Sequence, residues 1–188
     1  LSDTSNTGHR SWLFWMGVVI AGVGLGESRF WVATDGGDWH ESANWSASSG
    51  GEGGATVPGS GDVAVFDDNS GDCVLNDDVE VGGLHLTAGF QGRVSQGSAV
   101  LAIGDGRFDV AGGEFSGGSE NITIDMGATT GGAPLALLGG VFTSSSGRLS
   151  ILRSSTESEV MVHFSGGTFN HNSGELYIFC NPDVKQRL

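Results

Sequence analysis

The densest run of ligand-type side chains lies at residues 67–78. There Asp67, Asp68, Asn69, Asp72, Asp77 and Asp78 place hard oxygen donors on short Gly- and Ser-containing loops, a chemistry suited to calcium. The spacing is not that of an EF-hand: Asp67 and Asn69 fit its first and third positions, but Gly71 stands fifth and Asp78, not Glu, stands twelfth. The competing reading is a set of solvated turns in which Asp and Asn cap backbone N–H groups. Calcium is the one cofactor these residues suggest. Trp31, Trp39 and Trp45 form a second cluster, whose flat apolar rings suit either stacking on sugars or the packing of a cap. Nucleophilic and histidine-metal chemistry find no support, because His40, His85, His163 and His171 show no HxH or HExxH spacing and no GxSxG elbow occurs.

The elements that must position these residues are β-strands. Of the 188 residues 34 are Gly and only 16% are charged, a composition that excludes a helical protein. Apolar residues make up 38%, enough for a folded core. The net charge is −14, and residues 35–80 hold eleven acids with no Lys or Arg, so a nucleic-acid partner is excluded by repulsion. At the N-terminus, His9 and Arg10 precede an apolar run at residues 12–26, of signal-peptide length and short for a membrane span. Residues 1–26 are therefore expected to be a signal peptide or anchor, with membrane contact only through residues 12–26 if uncleaved. Secretion implies an oxidising compartment, yet Cys73 and Cys180 form no spacing pattern, and their pairing is left open.

A period organises the second half. GGEF at residues 112–115 recurs as GGVF at 139–142 and GGTF at 166–169, so Phe115, Phe142 and Phe169 stand 27 positions apart. Flanking apolar pairs keep the same offsets: Phe108 and Val110, Leu135 and Leu137, Val162 and Phe164 before each Phe; Ile122 and Ile124, Leu149 and Ile151, Leu176 and Ile178 after it. A shorter copy has Val94, Leu101 and Ile103 at matching offsets, 21 positions ahead of Phe115. Apolar residues two apart are the inward set of a short strand, and Gly pairs supply corners. Short strands and corners at this period describe a coil of a parallel β-helix. The chain is read as all-β, a right-handed parallel β-helix with coils of about 21–27 residues at residues 62–188, truncated at the C-terminus. A Trp-rich N-terminal cap and Gly-rich loop fill residues 27–61.

Stacking predicts which outward residues meet. Asp109, Ala136 and His163 align, as do Thr123, Ser150 and Tyr177, and Asn121, Arg148 and Glu175. None brings two acids together, as a glycan-cleaving carboxylate pair requires. Arg148 beside Glu175 reads as a surface ion pair between coils. His85, between Leu84 and Leu86, points to solvent.

The run NWS at residues 44–46, VPGSGDVAVFD at 57–67, VEVGGLHLTAGFQGRV at 79–94 and the GGxF units resemble secreted bacterial Gly-rich β-helix proteins of the adhesin and autotransporter-passenger type. The resemblance implies a bacterial β-helix that is secreted or on the cell surface, and the stacked coils, with long faces suited to multivalent contact, lead to an expected structural or adhesive module without chemistry of its own, with an extracellular glycan or cell-surface partner. A fragment of a β-helix polysaccharide lyase or glycoside hydrolase is the alternative. No catalytic residues carry over from the group.

Overall fold

The computed structural model describes residues 26–129, 131–154 and 160–180. The expected signal peptide or anchor at 1–26 lies outside the described residues except for Gly26, and so do residues 181–188. Among the described residues no helix is long and apolar enough to cross a membrane.

The strands come in triplets. The first comprises β1 (Ser28–Trp31), β2 (Gly37–Asp38) and β3 (Trp45–Ser46), the last reached through a 3-10 turn at Ser42–Asn44. Next come β4 (Val63–Phe66), β5 (Cys73–Val74) and β6 (Val79–Val81), then β7 (Gly83–Leu86), β8 (Arg93–Ser95) and β9 (Leu101–Ile103). They are followed by β10 (Phe108–Val110), β11 (Glu114–Ser116) and β12 (Ile122–Asp125), then by β13 (Leu135–Leu137), β14 (Val141–Thr143) and β15 (Arg148–Arg153). The last described triplet is β16 (Val162–Phe164), β17 (Thr168–Asn170) and β18 (Glu175–Cys180).

Among the described residues each strand from β1 to β15 except β3 pairs in parallel with the strand three further on, which gives three sheets. The first runs β16-β13-β10-β7-β4-β1, the second β17-β14-β11-β8-β5-β2 and the third β18-β15-β12-β9-β6. The expected register holds in the pairing: Phe115 lies opposite Phe142 and Phe142 opposite Phe169, while Ile124, Ile151 and Ile178 align in the third sheet. The fold is therefore all-β with parallel sheets, an arrangement compatible with a β-helix.

Two features depart from the sequence reading. Parallel pairing starts at Ser28, because β1 and β2 pair with β4 and β5, inside the segment 27–61 assigned to cap and loop. β3 breaks the triplet rule by pairing antiparallel with β1, Trp31 opposite Trp45, which occupies the outer edge of the first sheet with a reversed strand.

The core follows from strand alternation. Phe108, Val110, Phe115, Ile122, Ile124, Leu135, Leu137, Phe142, Leu149 and Ile151 form one cluster of buried residues with their counterparts in earlier triplets. The Phe115 and Phe142 rings stack at 5.4 Å and 14°, and Phe142 and Phe169 at 5.7 Å and 14°. Phe108 meets Phe115 edge-on at 4.9 Å, one of the favoured geometries for aromatic quadrupoles. The corners before the second sheet demand glycine. Gly140 has φ +64°, and a Cβ there would stand 2.5 Å from the Gly113 carbonyl oxygen, a contact no side chain tolerates. Buried Gln96 ties another corner: its Nε2 donates to the carbonyls of Ala99 and Glu120, and its Oε1 accepts from Gly118 N–H.

Candidate functional site

The outer surface is organised by side chains that reach from one triplet to the next. Ahead of the second sheet, Asp72 Oδ1 accepts the Arg93 N–H at 2.8 Å, and the Arg93 guanidinium pairs with Glu114 at 2.9 Å. Ahead of the third sheet the motif recurs: Asn121 Oδ1 accepts the Arg148 N–H at 3.0 Å, and Arg148 Nε donates to Glu175 Oε2 at 2.8 Å. In each case an Asx side chain satisfies the first N–H of a strand while Arg and Glu link the two strands beyond it. The expected Arg148 and Glu175 pair is thus present, and both side chains are largely solvent-exposed. Each ladder borders an open polar groove. One, of about 740 Å³, has Gly92, Gly112, Gly113 and Gly140 in its wall. The other, of about 680 Å³, is lined by Asn121, Ser146, Arg148, Ser173 and Glu175.

A charged cluster on the first sheet was missed by sequence reasoning. His85 lies opposite Asp109, and Arg107 Nη2 sits 3.1 Å from Asp109 Oδ2. His85 Nε2 is 2.9 Å from the Gly106 carbonyl oxygen, so it carries the proton and donates there; its separation from Asp109 Oδ2 is 3.7 Å. His85 is accordingly half-covered rather than fully solvated. Arg107 holds φ +69°, a left-handed conformation costing an L-residue roughly 1 kcal/mol. The available signal was the match of Leu84 and Leu86 to Phe108 and Val110, at an offset shorter than the 27 positions used to align the later strands.

The tryptophans lie in the interior. Trp31, Trp39 and Trp45 are 0%, 1% and 0% exposed, packed edge-on at 5.1 and 4.7 Å and flanked by Phe66. Trp45 Nε1 donates to the Trp39 carbonyl at 2.7 Å. None of these three indoles has a face open to a sugar ring.

The acids at 67–78 lie on successive corners instead of closing around one point. Asp67 Oδ1 accepts Asn69 N–H, Asp77 Oδ1 accepts Asp78 N–H, and Asp78 Oδ1 accepts Val100 N–H from the next triplet. Asp68 Oδ1 accepts from Asn69 Nδ2. Among the described residues no group of three or more His, Cys, Asp or Glu is placed to hold a metal ion. Asp62 does the same capping work, accepting N–H groups from Glu27 and Gly59. Burial pushes its carboxyl pKa up, but these two N–H groups and the nearby Arg29 outweigh that and hold it below the usual value. Burial, reinforced by the Asp38 charge, pushes the Cys73 thiol far above its ordinary pKa. Both Cys73 and Cys180 are free thiols, the first buried and the second exposed.

No protein-family model, curated protein or solved structure matches the chain.

Proposed function

We propose that the chain is a right-handed parallel β-helix closed at its N-terminal end by the Trp-rich segment, and that it serves as a secreted or cell-surface structural and adhesive module of the bacterial adhesin type. The observation that carries this reading is the parallel pairing of every third strand, β3 excepted, with Phe115, Phe142 and Phe169 in line. Such stacking builds length and stiffness from short units and presents long outer faces suited to multivalent contact with an extended polymer, such as a glycan. Right-handedness rests on the strong preference of parallel crossovers. The cap reading is supported by β3, whose antiparallel pairing covers the outer edge of β1, and by the buried Trp31, Trp39 and Trp45 beneath it. The Arg148 and Glu175 pair acts as a brace between strands.

The test is to incubate the 188-residue chain with neutral and acidic polysaccharides and follow both retention and new chain ends. Retention without cleavage is the expected result. Appearance of new chain ends would overturn the non-catalytic reading in favour of a glycan-cleaving enzyme.

A further inference from the structure

The outer face of the third sheet carries an aromatic platform. Leu176 and Ile178 of β18 lie opposite the core residues Leu149 and Ile151, so alternation turns Tyr177 and Phe179 outward. They are 40% and 45% exposed, and their rings are parallel within 6° with centroids 6.2 Å apart. Arg148 holds its guanidinium carbon 5.7 Å from the Tyr177 centroid while bonding Glu175, so the platform is braced by a neutralised pair. It adjoins the groove lined by Asn121, Ser146, Ser173 and Glu175. At the groove's edge Asn172 and Ser173 hold φ +55° and +60°, two consecutive left-handed non-glycine residues whose strain is of the kind found at ligand sites.

We infer that Tyr177 and Phe179, with the adjoining groove, form a binding site for a neutral pyranose oligosaccharide. The inference rests on the reading that the outer faces contact a polymer, and it names the place and the ligand class. A pyranose presents an apolar C–H face to aromatic rings and a rim of hydroxyls to polar groups. Here the rings supply the first partner, while the Glu175 carboxylate, the Asn121 amide and the hydroxyls of Ser146 and Ser173 supply the second. Charge selects the ligand: a chain at −14 repels acidic glycans, and the Arg148 guanidinium beside Tyr177 is already paired with Glu175.

Tyr177 is the single tyrosine of the chain, so ring-labelled tyrosine gives one NMR reporter at the site. The full chain is titrated with cellohexaose, xylohexaose and mannohexaose, and with polygalacturonate as the acidic control. The expected result is a saturable shift of the tyrosine resonances with at least one neutral hexasaccharide and none with polygalacturonate. By calorimetry, Tyr177→Ala combined with Phe179→Ala should weaken that binding roughly tenfold or more, the scale of an aromatic anchor, with an unchanged melting temperature. Tyr177→Phe should bind within a few-fold of the wild type. Undiminished affinity in the double variant would overturn this site and leave the polymer-contact reading standing. Preference for polygalacturonate would overturn the neutral-ligand assignment. Retention of no polysaccharide at all by the wild type would overturn both.

Discussion

At the scale of single residues, the two cysteines are set apart by their surroundings. Cys73 lies within the second sheet at 0% exposure and keeps its proton because burial and Asp38 both disfavour the thiolate. Cys180 is exposed at the end of β18. A thiol reagent at pH 8 should therefore label one cysteine in the native chain, Cys180, and both after denaturation; mass spectrometry of the labelled peptides reads the result. Asp62 gives the corresponding test with acid. Its native pKa is lowered, so its contribution is fully present above the unfolded value, about 4, and is lost as pH falls through the lower native value. Asp62→Asn should destabilise the chain at pH 7, and the difference from wild type should shrink below about pH 4, as measured by denaturant melts across pH. The acids at 67–78 show where sequence reasoning stops. Their oxygen chemistry was legible, and so were local turns such as Asp67 with Asn69, but Asp72 and Asp78 serve the N–H groups of Arg93 and Val100, 21 and 22 positions away. The tryptophans were legible as a cluster, whereas their burial depended on β3 reversing over β1.

At the scale of elements, corners and stacked rings set the fold. Gly140→Ala must absorb both φ +64° and a contact with the Gly113 carbonyl oxygen, so a loss of about 2 kcal/mol or more is expected. Gly61→Ala meets nothing within 4 Å and has no positive φ, so it should be neutral or stabilise by up to about 1 kcal/mol through the unfolded chain. Phe142→Ala removes the ring between Phe115 and Phe169 and should cost about 3–5 kcal/mol. Urea unfolding of the three variants checks the order. The elements after residue 105 were readable because the offsets of Phe115, Phe142 and Phe169 repeat without change. The offsets between earlier triplets depart from 27 positions in both directions, 35 from β1 to β4 and 24 from β7 to β10, so the repeat does not set His85 beside Asp109 in the sequence. A shortened loop leaves the strand register intact in space while breaking it in sequence.

At the scale of the whole molecule, the strand stack differs from one end to the other. Its first triplet carries the antiparallel β3 and packed tryptophans, whereas in its last described triplet the core-facing Leu176, Ile178 and Phe164 are about half exposed and line an apolar hollow of about 210 Å³. The central claim, that length comes from interchangeable stacked units, is tested most directly by deletion. Removing residues 127–153 takes out β13–β15, one full period as measured by the 27 positions between Asn121 and Arg148, and brings β16, β17 and β18 against β10, β11 and β12. In a stack governed by neighbour contacts such a chain keeps its fold and loses about one unit of stability. Removing residues 140–153, about half a period, breaks the register of every later strand. Thermal unfolding followed by circular dichroism should show a cooperative β-structured transition for the first deletion and its loss for the second. Loss of cooperative structure in both, or its retention in both, would contradict the stacked-unit account.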